Sequence, residues 1–245
     1  MKDLLNQVAL VTGASSGIGR SIALALDREG AQVCLVGRLS SKLEAVRLKT
    51  HREEPRMIKY VTDLSKAGDI NDLADQIIRN LGRLDILIHS AGVLSMGTIE
   101  EANVSEFDSQ YQVNLRAPFL LTQKLLPLLI ESHGQVVFVN SSVVAKARAG
   151  VSQYAATKHG LRAIADSLRE EVNEKGVRIL SLFLGRTASP MQRTLHHLES
   201  KSYHPERLIQ PEDVAQLAIA CLRLPRTAEV TDVSIRPMQK PKSHS

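Results

Sequence analysis

Tyr154 and Lys158 stand four residues apart in the stretch SQYAATKHGL, residues 152–161, a segment of small and apolar residues patterned as a helix. Residues so spaced share a helix face, which sets a phenol beside an ammonium. A free tyrosine titrates at about 10, a poor match to proton transfer near neutrality. A nearby positive charge favours the phenolate and lowers that value. The pair is therefore either two neighbours on a surface helix or an acid that can exchange a proton with a carbonyl or alcohol oxygen, and the rest of the chain decides between them. His159, five residues from Tyr154, points elsewhere on the helix and reads as a surface histidine.

A second chemical pattern lies in TGASSGIGR, where Gly13, Gly17 and Gly19 are spaced GxxxGxG rather than GxGxxG. Glycines there let the backbone turn sharply and let a phosphate-bearing ligand approach the helix N-terminus that follows. A tight structural turn explains one such glycine, not three. At the end of the second strand Gly37 stands where a ribose-binding acid is expected, and Arg38 follows it. A guanidinium without a carboxylate accommodates a 2′-phosphate, which favours NADP over NAD. Asp63 and Leu64 close the third strand, where a carboxylate could accept from an adenine amino group. The fourth strand ends in HSAG, with the small residues Ala91 and Gly92. The fifth ends at Asn140, Ser141 and Ser142. Those hydroxyls lack the GxSxG surroundings of a serine hydrolase.

The elements that must position these residues alternate along the chain. Strands are predicted at QVALVT, AQVCLVG, MIKYVTD, LDILIHSAG, QVVFVNS, VRILSLFL and VTDVSIRP. Helices are predicted from about Gly17 to Glu29 and over SKLEAVRLKTH, DINDLADQIIRNLG, the Tyr154 segment and PEDVAQLAIACLRL. Near-continuously apolar strands alternating with helices imply an α/β fold: one doubly wound domain over 1–245, its parallel sheet covered on both faces. Ligands of such sheets collect at the carboxyl ends of the strands.

Composition narrows the function. With 43% hydrophobic and 23% charged residues, the chain has the makeup of an ordinary globular enzyme. The net charge of +5 is not matched by stacking aromatics, which make up only 3%, so nucleic acid is not expected as a partner. The basic balance is assigned to a solvated surface and the tail QKPKSHS. Cys34 and Cys221 are isolated in apolar contexts and read as buried packing. No apolar run reaches the length of a membrane span, and MKDLLNQVALVTG runs directly into a strand, so a cytoplasmic location is expected.

Taken together, TGASSGIG, a serine thirteen residues before the tyrosine, and YAATK resemble the short-chain dehydrogenase/reductase family in its compact single-domain form. The likeness runs from LVTGASSGIG through NLRAPF and YAATK to PEDVA. It implies a Rossmann-type domain and an oxidoreductase that moves a hydride between a nicotinamide and a carbonyl or secondary alcohol. It also implies a catalytic set of Asn114, Ser141, Tyr154 and Lys158, with Ser142 the alternative to Ser141. Tyr154 would be the acid/base and Ser141 would hold the substrate oxygen. Lys158 would also bond the nicotinamide ribose, and Asn114 would position a water leading from Lys158 to solvent. NADP would lie along Gly13, Ser15, Ser16, Gly17, Ile18, Gly19, Arg38, Asp63, Leu64, Ala91, Gly92, Tyr154 and Lys158. Thr187 or Ser189 would reach its carboxamide. No metal is implied.

Three departures stand out: His89-Ser90 replaces the usual Asn-Asn, Leu184-Gly185 replaces Pro-Gly, and the C-terminal segment lacks a glycine-rich ending. Residues 190–210 are expected to form a polar, mobile substrate lid whose His196, His197 and His204 are solvated rather than metal-bound. Broad apolar stretches in FLLTQKLLPLLI and the Tyr154 helix predict a homodimer or homotetramer. The substrate stays open among hydroxy acids, sugar-derived ketones, steroids and lipids. The alternative function is a nucleotide-sensing regulatory or scaffold protein without turnover.

Overall fold

A computed structural model gives the fold, and the structure describes residues 4–50 and 57–239. The β-branched runs become seven strands: β1 (Val8–Thr12), β2 (Gln32–Gly37), β3 (Met57–Val61), β4 (Ile86–His89), β5 (Gln135–Ser141), β6 (Arg178–Leu184) and β7 (Asp232–Ile235). They form one parallel sheet in the order β3-β2-β1-β4-β5-β6-β7. All five residues of β1 and all seven of β6 are buried, as expected where helices cover both faces.

Those helices are α1 (Gly17–Arg28), α2 (Ser40–Arg47), α3 (Ala67–Leu81), α4 (Val104–Tyr111), α5 (Ala117–Glu131), α6 (Ser152–Val172), α7 (Pro190–Leu198) and α8 (Pro211–Leu222). Successive strand residues point to opposite faces, so β1 feeds two cores. Ala9 and Val11 pack with Ile22 and Leu26 of α1 and Val214 and Ala218 of α8. Val8 and Leu10 join Ile70 of α3, Leu121 of α5 and Leu161 of α6. Each such large side chain contributes about 1.5–3 kcal/mol on burial.

The chain runs outward from β1 to β3 and then returns to place β4 on β1's other side. That reversal opens a crevice beyond the strand ends. Several boundaries differ from expectation. The fourth strand ends at His89 because Ser90 and Ala91 leave the ladder to donate to the Thr12 hydroxyl. The helix after β2 is complete by Arg47, and His51 of its predicted span lies outside the described residues, as does most of the basic tail. The expected mobile segment after β6 instead holds a nine-residue helix, α7, started by Ser189 and Pro190.

Candidate active site

The first turns of α6 run beside the end of β5, and this brings Ser141, Tyr154 and Lys158 to one cavity of about 210 Å³. Lys158 is buried, its Nζ donating to the Val139 carbonyl at 3.0 Å and lying 5.8 Å from the Tyr154 ring centre. The Ser141 hydroxyl accepts from the Val143 amide at 3.2 Å and hydrogen-bonds the Tyr154 side chain. Ser142 lines the same cavity but is exposed.

The electrostatics correct one expectation. Burial pushes the Tyr154 phenol up to about 12, against a smaller lowering by the Ser141 hydrogen bond. Burial also pushes Lys158 down to about 8. Desolvation, rather than a lysine charge that depresses the phenol, dominates at both groups, because each would be charged in a low-dielectric wall.

Asn114 sits not on a regular helix but in a π-helical turn, Gln112–Arg116, between α4 and α5. Its Oδ1 accepts from Val93 N at 2.8 Å, while Nδ2 donates to Val93 O at 2.8 Å and Thr157 Oγ1 at 3.2 Å. It stands behind the cavity wall and ties the segment after β4 to the residue preceding Lys158. The sequence offered no sign of Thr157 or of Thr12. The Thr12 hydroxyl gathers the Ser90 and Ala91 amides at 3.0 and 3.1 Å and donates to Ile88 O. His89, the departure, turns away from the site: it is buried, stacked on Phe138, and 2.8 Å from Thr122 Oγ1. Burial pushes it down to about 3, so it stays neutral.

The glycine turn fits an extended phosphate-bearing ligand. A Cβ on Gly19 would come within 2.4 Å of Gly13 O, and Gly13 itself has φ +66° against Ala91. Larger residues would fill this cradle. Behind it, α1 begins with no side-chain cap from Ser16 and no acidic residue in its first turn, leaving its N–H groups to an anion. Ile18, Ala91 and Gly92 line the cavity, and Ser15 lies beside Gly37 at the end of β2. Arg38 is exposed just beyond β2. Asp63 lies below the ordinary carboxylate range: burial opposes ionisation but is outweighed by hydrogen bonds from Ser65 and the charges of Lys66 and Arg38. Leu64 is buried next to it.

Thr187 and Ser189 also line the cavity, but both hydroxyls have partners in the fold. Thr187 donates to Gly185 O, and Ser189 caps α7 by accepting from Gln192 N. Leu184-Gly185 is accommodated by a bond from Gly185 N to Ile235 O. The α7 segment is stapled down: Arg186 Nη2 reaches both Glu199 oxygens at 2.6 and 2.7 Å. His196, expected in solvent, is buried against Gln192 and the edge of Tyr203, whereas His197 and His204 are exposed. Among the described residues, no group of three or more His, Cys, Asp or Glu could hold a metal ion. No helix among them is long and apolar enough to cross a membrane.

With this geometry in place, comparison with known proteins is decisive for the family: the model of the short chain dehydrogenases matches residues 7–200. The chain belongs to the short-chain dehydrogenase family. An uncharacterised oxidoreductase of Staphylococcus aureus is 29% identical over 97% of the chain and 100% of its own length. A short-chain dehydrogenase of Shigella flexneri, solved in complex with NADP, is 33% identical with a TM-score of 0.84, covering 96% of this chain and 99% of its own. A 3-ketoacyl-(acyl-carrier-protein) reductase of Brucella melitensis, solved with NADH, is 27% identical with a TM-score of 0.82, over 94% and 98%. Short-chain dehydrogenases of this shape thus include structures with either nicotinamide nucleotide.

Proposed function

We propose that this short-chain dehydrogenase is an NADP-dependent oxidoreductase acting on a carbonyl or secondary alcohol, with Tyr154 as its acid/base. The observation that carries the proposal is the convergence of Ser141, Tyr154 and buried Lys158 on the cavity that the glycine turn also borders. When bound, the nicotinamide supplies the hydride to the carbonyl carbon, or accepts it in the reverse direction. Ser141 holds the substrate oxygen as charge develops on it, and Tyr154 delivers the proton to that oxygen, so that C=O becomes CH–OH. Lys158, charged below about pH 8, bonds the ribose and steadies the phenolate left behind. Asn114 acts as a positioning residue that holds Val93 and Thr157.

Gly13, Ser15, Ser16, Gly17, Ile18 and Gly19 hold the pyrophosphate, Asp63 and Leu64 the adenine, and Ala91 and Gly92 the inner ribose. Thr187 or Ser189 holds the carboxamide. Arg38 selects the 2′-phosphate. The S. flexneri relative with NADP supports that choice, and the absence of a carboxylate at Gly37 supports it further. Residues 190–210 form the substrate lid, which the Arg186–Glu199 pair holds against the end of β6. The two free cysteines suit a reducing compartment such as the cytosol, and the chain assembles as a homodimer or homotetramer. Fluorescence titration with NADPH and NADH, followed by turnover on a carbonyl panel, tests the proposal. Tighter NADPH binding with turnover is expected, and no binding of either nucleotide overturns it.

A further inference from the structure

The cavity that holds Tyr154 has a second, outer wall. Past β5 the chain makes a single 3-10 turn, Ser142–Val144, and then carries Lys146 and Arg148 along the rim before α6 begins. Both side chains line the cavity and are exposed to solvent. Neither has an ion-pair partner among the described residues. The third rim cation, Arg186, is neutralised by its two-pronged bond to Glu199. Glu199 is the one carboxylate on the cavity lining, and it is further engaged by Lys201 at 3.0 Å. The unpaired charges facing the cavity, Lys146, Arg148 and Lys158, are therefore all positive. The lining also includes the apolar side chains of Leu94, Val143, Val151, Met191 and Leu195.

We infer that the substrate is an anionic carbonyl compound, or its alcohol. An apolar stem would lie along the middle of the cavity and a carboxylate or phosphate would be held at the rim by Lys146 and Arg148. This deepens the oxidoreductase proposal and rests on it for the position of the reacting carbon. The physical case is one of matching. A cleft whose free charges share one sign concentrates ligands of the opposite sign, and charge-assisted bonds from a lysine and an arginine suit carboxylate and phosphate oxygens. Lys146 and Arg148 follow β5, whereas the glycine turn and Arg38 follow β1 and β2 on the other side of β4, so the rim cations are set apart from the groups assigned to the nucleotide phosphates.

The test compares straight-chain and aryl oxo acids of graded length with their methyl esters and with oxo phosphates. It uses the NADPH-loaded wild type and the Lys146→Met/Arg148→Met double variant. Both positions are exposed, and thermal melting confirms that the variant is folded. The best acid or phosphate should exceed its neutral counterpart in kcat/KM by about tenfold to a hundredfold, the range of one or two charge-assisted bonds. In the double variant that ratio should fall towards one, and Arg148→Lys on its own should keep most of it. Rising salt should narrow the wild-type ratio as screening shortens the reach of the rim charges. A gain confined to carboxylates or to phosphates identifies which anion the rim takes.

Calorimetric binding of the corresponding hydroxy acids and hydroxy esters to the NADP-loaded protein separates the two levels of the claim. Anion-selective binding that the double variant loses, without turnover of any compound, supports the rim site and overturns the oxidoreductase proposal. Turnover in which esters match or exceed their acids overturns the rim site and leaves the oxidoreductase proposal standing. A double variant that raises the KM for NADPH while the acid-to-ester ratio is unchanged also overturns it, by assigning the two cations to the nucleotide.

Discussion

Desolvation acts on Tyr154 and Lys158 in opposite senses, holding the phenol neutral and making the ammonium easier to discharge. Lys158 has a folded value of about 8 against 10.5 ordinarily, so between those values the unfolded chain binds a proton that the folded chain has lost. Stability must rise with pH across that window. Tyr154 works the other way, but only above its ordinary value of 10. Urea unfolding at intervals from about pH 8 to 10 should therefore show the wild type gaining stability relative to Lys158→Met. Parallel profiles would mean that Lys158 is not desolvated. Arg38→Asp should weaken NADPH binding by about tenfold to a hundredfold, the worth of one charge-assisted phosphate contact, and NADH binding far less. Equal losses would remove Arg38 from the 2′-phosphate. At this scale the sequence showed which residues meet, because four-residue helical spacing and strand ends are periodic properties. It did not show how deeply they are buried, and the direction of the Tyr154 shift depends on that depth. Nor did it show Lys146 and Arg148, which look like surface charges until the β5–α6 connection folds them onto the rim.

Secondary elements carry the site through a few side chains that tie them together. Asn114 interrupts the helical stretch with a π-turn and binds the segment after β4 to α6. Thr12 draws the chain out of β4. The alternating strands and helices were legible from apolar runs and glycine turns. The order of α7 was not, since PMQRTLHHL is polar and its helix depends on the Ser189 cap and on partners distant in sequence. Arg186 and Glu199, both largely buried, close that helix onto the end of β6. Glu199→Gln should accelerate hydrogen exchange of the α7 amides on the order of tenfold, with the sheet unchanged, as a charge-assisted bond becomes a weaker one. Unaltered exchange would show that α7 is held by its apolar contacts alone.

Among the described residues, α4 leaves an apolar face uncovered. Val104, Phe107 and Tyr111 recur at three- and four-residue spacing on α4 and are exposed, as is Phe119 at the start of α5. The apolar residues of α6, by contrast, are largely consumed by the core. The proposed oligomer would therefore use α4 and α5 more than α6. Light scattering at micromolar concentration should give two or four times the chain mass, and Phe107→Asp with Phe119→Asp should reduce it to one. A monomeric wild type would contradict the assembly without touching the site.

The central claim, that Tyr154 is the acid/base of a nicotinamide-dependent reaction, is tested most directly by NADPH oxidation with the best carbonyl substrate in wild type and Tyr154→Phe. Fluorescence titration confirms that both proteins bind NADPH. The predicted result is comparable nucleotide affinity and a loss of turnover of about a hundredfold to ten-thousandfold, the range of a positioned proton donor. Turnover that survives in Tyr154→Phe would contradict the claim.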